Sequence, residues 1–311
     1  MPQIDRNSVS LNDRLVGYAC ACAIVVLFSS FTLVSRMGLK SSLGLMDVAA
    51  LRFTVAGLVM LPILLLAHPT GLRWRDLAAI VGTGGLGFAL LAYTGFLLAP
   101  AAHGAVLLHG TLPLFTFLLV SSASQSHRAG RQGAGMFLIA AGIALLLSDS
   151  LSTASARQFL GDGALLLASL LWSSYAIRVR RLGLLPAQAA SLVAVFSMCC
   201  LLPVYLATSG GRLPEVPTQE LLLQALFQGV LIGTLSIYLY TKAVALLGAS
   251  QTALFTAAVP CLTTIGAGPL LDETTSLAAW IGIAVVTAGM IAAMASGRQA
   301  APFDNARPGA T

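Results

Sequence analysis

Phe28-Ser29-Ser30-Phe31-Thr32-Leu33-Val34-Ser35-Arg36 and Trp172-Ser173-Ser174-Tyr175-Ala176-Ile177-Arg178-Val179-Arg180 decide how this chain is read. Each places an aromatic-Ser-Ser-aromatic patch inside an apolar run that ends at arginine. The two lie in separate halves of a 311-residue chain. Leu61-Pro62-Ile63 likewise matches Leu202-Pro203-Val204. At a constant offset of 147, Gly82 falls on Gly229, Tyr93-Thr94 on Tyr240-Thr241, Pro113 on Pro260, and Gly135 and Gly142 on Gly282 and Gly289. Self-similarity of this kind marks a duplicated structural unit.

Around these patches the sequence is overwhelmingly apolar. It is 57% hydrophobic and only 9% charged, with a mean hydropathy of +0.89. Soluble domains carry about 25% charged residues. A chain this poor in charge is matched to lipid as its solvent. Ten apolar runs have the length of a spanning helix: 15–35, 46–67, 77–99, 102–122, 132–148, 162–178, 186–207, 221–243, 247–270 and 276–296. The third and fourth runs are nearly continuous, as are the eighth and ninth; Pro100 and Gly248 mark the expected turns. The runs lack the alternation of outer-membrane strands, so helices that satisfy their own backbone are expected. The first run is too long for the core of a secretory signal.

The net charge of +6 comes from basic residues scattered singly between apolar runs. Nucleic-acid binders cluster them, so nucleic acid is not an expected partner. With the N-terminus placed in the cytoplasm, cytoplasmic segments hold twelve basic residues and outer segments four: Arg36, Lys40, Arg157 and Arg212. Both termini are therefore expected in the cytoplasm. The expected domains are a cytoplasmic segment 1–14, a first five-helix repeat 15–148, a linker 149–161, a second five-helix repeat 162–296 and a disordered tail 297–311. The five cysteines all lie in apolar runs, with no Cys-x-x-Cys spacing, and are read as packing residues rather than disulfides or metal ligands.

The fold class predicted is thus all-α integral membrane, ten transmembrane helices in two five-helix repeats. An odd helix number inverts the second repeat in the membrane. Inverted repeats characterise secondary transporters, which bind solute near the midplane between the halves.

Several motifs carry a family resemblance. These are the Ser-Ser-aromatic patches, Arg52 within Ala50-Leu51-Arg52-Phe53, Pro113 and Pro260, and Asp272-Glu273 ahead of Trp280, Gly282 and Gly289. Together they make the chain resemble the drug/metabolite transporter superfamily in its ten-helix EamA-like branch, over residues 15–296. Gln125-Ser126 stands where that pattern has an acidic residue before the fifth span. The resemblance implies a carrier of the bacterial inner membrane, often an exporter of amino acids or related metabolites, with a central cavity lined by spans 1, 3, 4, 6, 8 and 9.

The candidate solute-binding residues are His109, Trp172, Tyr175, Thr256, Tyr93, Ser30, Phe31, Thr252 and Tyr238, with Pro113 and Pro260 as gating residues. His109 lies one helical turn before Pro113, and its repeat mate Thr256 one turn before Pro260. A proline leaves an unbonded carbonyl one turn earlier. A histidine within a span faces a cavity or a partner and can titrate near neutral pH. His109 is read either as a solute or proton contact or as a packed histidine bonded to a carbonyl. Trp172 and Tyr175 share one helix face, as do Phe28 and Phe31; together they suit stacking on a solute, while a single aromatic is more often a helix-packing residue. Ser29, Ser30, Ser173 and Ser174 suit close helix approach. Tyr93, Tyr238 and Tyr240 are cavity hydroxyls or interface anchors. Arg52 is expected to snorkel or to pair with Asp47. Gly82-Thr83-Gly84-Gly85-Leu86-Gly87 fits a dinucleotide-binding pattern only formally, because it follows no strand.

The function expected is export of amino acids or similar small polar metabolites by alternating access. Export of hydrophobic or cationic drugs is the alternative, and a non-transport membrane protein is more remote. No enzymatic motif or cofactor signature is present. The partners expected are the solute, the lipid bilayer and protons as a coupling ion, with His109 as proton carrier. A monomer is expected.

Overall fold

A computed structural model describes residues 11–67, 69, 71–121, 130–152, 156–208, 216–247, 252 and 255–297. Its helices, in chain order, are α1 (Leu11–Lys40), α2 (Leu45–Leu66), α3 (Trp74–Leu98), α4 (Ala101–Leu119), α5 (Gly130–Ser152), α6 (Ala156–Arg181), α7 (Pro186–Thr208), α8 (Thr218–Tyr240), α9 (Val259–Leu271) and α10 (Leu277–Gly297). Helix α8 runs on as Ser236–Leu247. There is no strand among the described residues. Seven helices are long and apolar enough to cross a membrane, and Gly133–Leu146, Val259–Leu271 and Leu277–Ala293 are shorter apolar helices. The chain is thus all-helical with multiple candidate spans.

Some sequence expectations fall outside the described residues: most of the N-terminal segment, the tail from 298, Gln125-Ser126, and the Gly248 turn. The stretch 149–161, expected as a linker, is helical up to Ser152 and again from Ala156. Helices can extend past lipid because water satisfies the orphan groups of their last turns.

Helix packing follows the duplication. Shifting each helix by five places exchanges the two copies. Helix α1 packs on α8, and α6 on α3; α1 packs on α9, and α6 on α4. The pairs α2–α7 and α5–α10 map onto themselves. The backbone follows the duplication too. Helix α3 widens into a π-helix over Val81–Gly85 and α8 over Ala225–Leu235. Advancing the first by the offset of 147 gives 228–232, inside the second. Each copy also has a proline inside its second helix, Pro62 in α2 and Pro203 in α7.

Glycine sets the α5–α10 contact. A Cβ on Gly142 would lie 2.8 Å from the Gly282 carbonyl oxygen, and one on Gly289 would lie 2.8 Å from the Gly135 carbonyl oxygen. These four are the repeat-mate glycines, and they let two backbones touch directly. Outside this contact and the central core, large apolar side chains such as Phe137, Leu206 and Ile265 project outward uncovered. Such a surface suits lipid and not water.

Gly142→Ala drives a methyl group against backbone that cannot move aside, and is expected to destabilise the chain by about 1–3 kcal/mol. Gly163→Ala meets nothing within 4 Å. It is expected to be neutral or stabilising by up to about 1 kcal/mol through helix propensity. Thermal unfolding of the two purified variants checks the pair, and equal midpoints would remove the role given to the glycine contact.

Candidate functional site

The centre of the bundle holds a cavity of about 280 Å³. Its walls are aromatic. Trp172 and Tyr175 come from α6, one helical turn apart, with ring centroids 5.1 Å apart. Phe88 of α3 packs on Trp172 at 4.7 Å. Phe28 of α1 stacks on the His109 ring at 5.4 Å and 27°. Local packing explains why α6 can present Tyr175: a Cβ on Gly84 would lie 2.3 Å from the tyrosine ring. Gly84 and Gly85 of α3 therefore serve close side-chain approach, by Tyr175 and Ser197.

His109 lies in a π-helical turn, Val106–Gly110, directly ahead of Pro113. Pro113 cannot donate to the His109 carbonyl, and a widened turn is a common way for a helix to absorb that loss. His109 is buried; its Nδ1 lies beside the Ala105 carbonyl without a hydrogen bond of good geometry and has no other partner among the described residues. Pro260, expected inside a span, stands instead in the first turn of α9. A missing N–H costs nothing there, so no broken bond arises at Pro260.

Of the expected site residues, the cavity wall brings together His109, Trp172, Tyr175, Phe31 and Thr256. Ser30, Thr252, Tyr93 and Tyr238 are not part of it. Tyr238 points outward, 59% exposed, with the Lys242 ammonium over its ring at 5.8 Å. Tyr93 is wholly buried behind the wall, where its hydroxyl donates to Gln228 Oε1 at 3.1 Å. Thr252 is buried too. Helices α2 and α7, which the resemblance left out of the lining, contribute Arg52, Phe53, Ala190 and Val193.

Three polar features escaped the sequence reading. The first is Arg52. It neither snorkels nor pairs with Asp47. Asp47 accepts from the Gly44 N–H at 2.7 Å and from the Tyr205 hydroxyl at 2.7 Å. Arg52 is buried in the cavity wall, its Cζ 5.3 Å from the Phe31 ring centroid and 5.7 Å from that of Phe53.

The second is a chain of buried amides. Gln228 Nε2 donates to Ser35 Oγ at 2.8 Å and to Gln224 Oε1 at 3.3 Å, and Gln224 Nε2 donates to the Val34 carbonyl at 2.9 Å. The i, i+4 spacing of Gln224 and Gln228 inside an apolar run was the available signal.

The third is His103, whose Nδ1 lies 3.0 Å from Asp162 Oδ1, both almost fully buried. Asp162 is the first residue of the apolar run 162–178. The pair places a second buried imidazole, together with a carboxylate, inside the bundle.

One end of the bundle is closed by charge. Asp272 takes a left-handed conformation, φ 53°, and caps α9 through hydrogen bonds to the Gly268 and Ala267 carbonyls from its own N–H and that of Glu273. This turn brings Glu273 back over α1 and α4. Its carboxylate pairs with Arg36, accepts from Lys40 at 2.6 Å and accepts from the Ala101 N–H at 2.8 Å. Arg36 also donates to the Phe96 and Ala99 carbonyls. The ends of α1, α3, α4 and α9 are tied at one point. At the other end the cavity wall reaches Val179 and Pro186, beside a half-exposed pair between Arg178 and Asp76 at 3.0 Å.

Residues 159–295 match the EamA-like transporter family. Over that stretch, a little under half of the chain, the sequence is similar to EamA-like transporters, and its apolar helices fit a multi-pass membrane protein. A solved crystal structure matches it over 93% of this chain and 99% of its own, at 22% identity and a TM-score of 0.59. That likeness concerns the fold alone. No curated protein matches the chain.

Burial pushes the Glu273 carboxyl up, but the Ala101 N–H, Lys40 and Arg36 outweigh it and hold the group below its ordinary value. A carboxyl depressed in the folded state contributes stability that is complete above its ordinary titration range. That contribution fades as pH falls through the lowered folded value. Unfolding midpoints of the purified protein are expected to drop over that acidic interval, and Glu273→Gln to lower the neutral midpoint and flatten the drop. Superimposable profiles for the two proteins would show that the carboxylate does not hold this end together.

Proposed function

We propose that this transporter moves small polar metabolites, most readily amino acids, outward across the bacterial inner membrane by alternating access. The two five-helix units act as inverted repeats, ten helices cross the membrane, and both termini lie in the cytoplasm. The observation that carries this reading is the cavity itself. It lies where the two duplicated units meet, and its wall combines aromatic rings with His109, Thr256, Ser236 and Tyr240. Inverted-repeat carriers bind solute at such an interface. The closure at Glu273, against a wall that reaches Val179 and Pro186 at the other end, suits a carrier open toward one side only.

Export of hydrophobic drugs is the second reading, favoured by the aromatic rings of the wall, among them Phe28, Phe31, Trp172 and Tyr175. A lipophilic cation fits less well, because no carboxylate among the described residues lines the cavity and one guanidinium does. Protons are the proposed coupling ion, with His109 or the His103–Asp162 pair as carrier. The solute and the bilayer are the proposed partners, and the chain is proposed to act as a monomer.

Counterflow in proteoliposomes tests the proposal. Vesicles loaded with single unlabelled amino acids are given a trace of labelled threonine or methionine outside. Saturable accumulation is expected for a subset of the panel. His109→Ala is expected to reduce it by about tenfold or more, the effect of deleting one polar contact from a buried site. Accumulation of none of the amino acids, together with efflux of a lipophilic dye, would replace the amino-acid reading by drug export.

A further inference from the structure

The cavity contains a charge that no described residue balances. Arg52 is only 7% exposed and lines the cavity. Its Nη1 is buried and has no hydrogen-bond partner among the described residues. No aspartate or glutamate among them is part of the cavity wall. Asp47, the acidic group on the same helix, is already committed to the Gly44 N–H and to Tyr205. What surrounds the guanidinium is the Phe31 ring, the Phe53 ring and the Tyr93 hydroxyl. Aromatic faces attract a cation but cannot accept its N–H groups in a directed way. The Tyr93 hydroxyl donates to Gln228 and its oxygen can accept one guanidinium N–H, which still leaves Nη1 without a partner among the described residues. A buried arginine of this kind is costly unless an anion joins it.

We infer that Arg52 receives the carboxylate of the transported solute, so that the cavity selects molecules with one carboxylate on an apolar or aromatic body. A guanidinium presents two parallel N–H donors that match the two oxygens of a carboxylate. A dianion is less well suited, since among the described residues Arg52 is the one lysine or arginine in the wall. The Trp172, Tyr175 and Phe88 rings supply the apolar seat for the body. His109 Nδ1, also without a partner among the described residues, provides a second polar contact in the same space. This deepens the transport reading and rests on it, but does not require that the solute carry an amino group.

The test uses ligands of one shape and different charge. The purified full-length protein, with Trp74→Phe and Trp280→Phe so that emission comes from Trp172, is titrated with four probes. These are L-phenylalanine, 3-phenylpropanoate, L-phenylalaninamide and 2-phenylethylamine. The two carboxylates are expected to bind at least about tenfold more tightly than the amide and the amine, the scale of a charge-assisted contact in a buried site. Arg52→Gln is expected to abolish that preference while leaving the amine unchanged or better bound, and Arg52→Lys to keep part of it. A purely structural arginine would alter all four affinities together.

Equal binding of the two carboxylates, the amide and the amine overturns the inference, as does a preference that survives in Arg52→Gln or the absence of saturable binding by all four. Should Arg52→Gln fail to fold, the ligand series on the otherwise unaltered protein and on Arg52→Lys decides the matter. Amino-acid counterflow that persists unchanged in Arg52→Gln overturns this inference alone. A transporter that prefers 3-phenylpropanoate yet shows no amino-acid counterflow overturns only the amino-acid reading.

Discussion

Everything in this bundle depends on the absence of water around its backbone. In lipid, each peptide group must find its partner within its own helix. The helices are therefore rigid rods whose outer faces gain nothing by burial, and association must come from fit. That is why glycine carries the α5–α10 contact, where the Gly142 and Gly282 backbones approach each other directly. The same demand gives polar side chains local partners. Thr111 donates to the Leu107 carbonyl at 2.7 Å and Thr264 to the Pro260 carbonyl at 2.8 Å, each one turn back.

Against that background, departures from the ideal helix mark the working centre. The π-helical stretches fall in α3, α4 and α8, and each contributes to the cavity wall through Gly84, His109 or Ile232. A π-turn rotates the side chains that follow it and leaves carbonyls less tightly bonded. In α4 it brings His109 to the cavity ahead of Pro113. In α3 it lets Gly84 meet Tyr175. The stretches in α3 and α8 occupy equivalent places in the duplicated units, so the irregularity belongs to the repeat and not to one copy.

Polar groups are graded along the bundle. The cavity holds Arg52 and His109, each with a nitrogen lacking a partner among the described residues. Behind it, Tyr93, Gln228, Gln224 and Ser35 form a hydrogen-bonded amide and hydroxyl layer. Beyond that layer, Arg36 and Glu273 tie the helix ends. Satisfied networks hold a structure in one arrangement, and unsatisfied ones are available to a ligand. The closed end and the open cavity are thus different uses of the same residue types.

The sequence by itself determined the solvent, the helical class, the duplication and the five residues it named on the cavity wall. Apolar run length and a repeated offset are local properties of a chain, and lipid leaves the backbone no alternative to helix. His109 was legible because a titratable ring inside an apolar run is costly in lipid and must turn toward a cavity or a partner. Trp172 was legible because it recurs in the duplicated aromatic patch at helical spacing. Tertiary structure alone decided that Arg52 lies in the wall instead of snorkelling, since its direction is set by where Phe31 and Tyr93 pack and by Asp47 having found Tyr205. It also placed Tyr238 outside, buried Asp162 against His103 and moved Pro260 into a first turn. Each depends on which neighbour a helix face meets. Period and composition hold no information on that, because in lipid both faces of a spanning helix are apolar and only packing tells them apart.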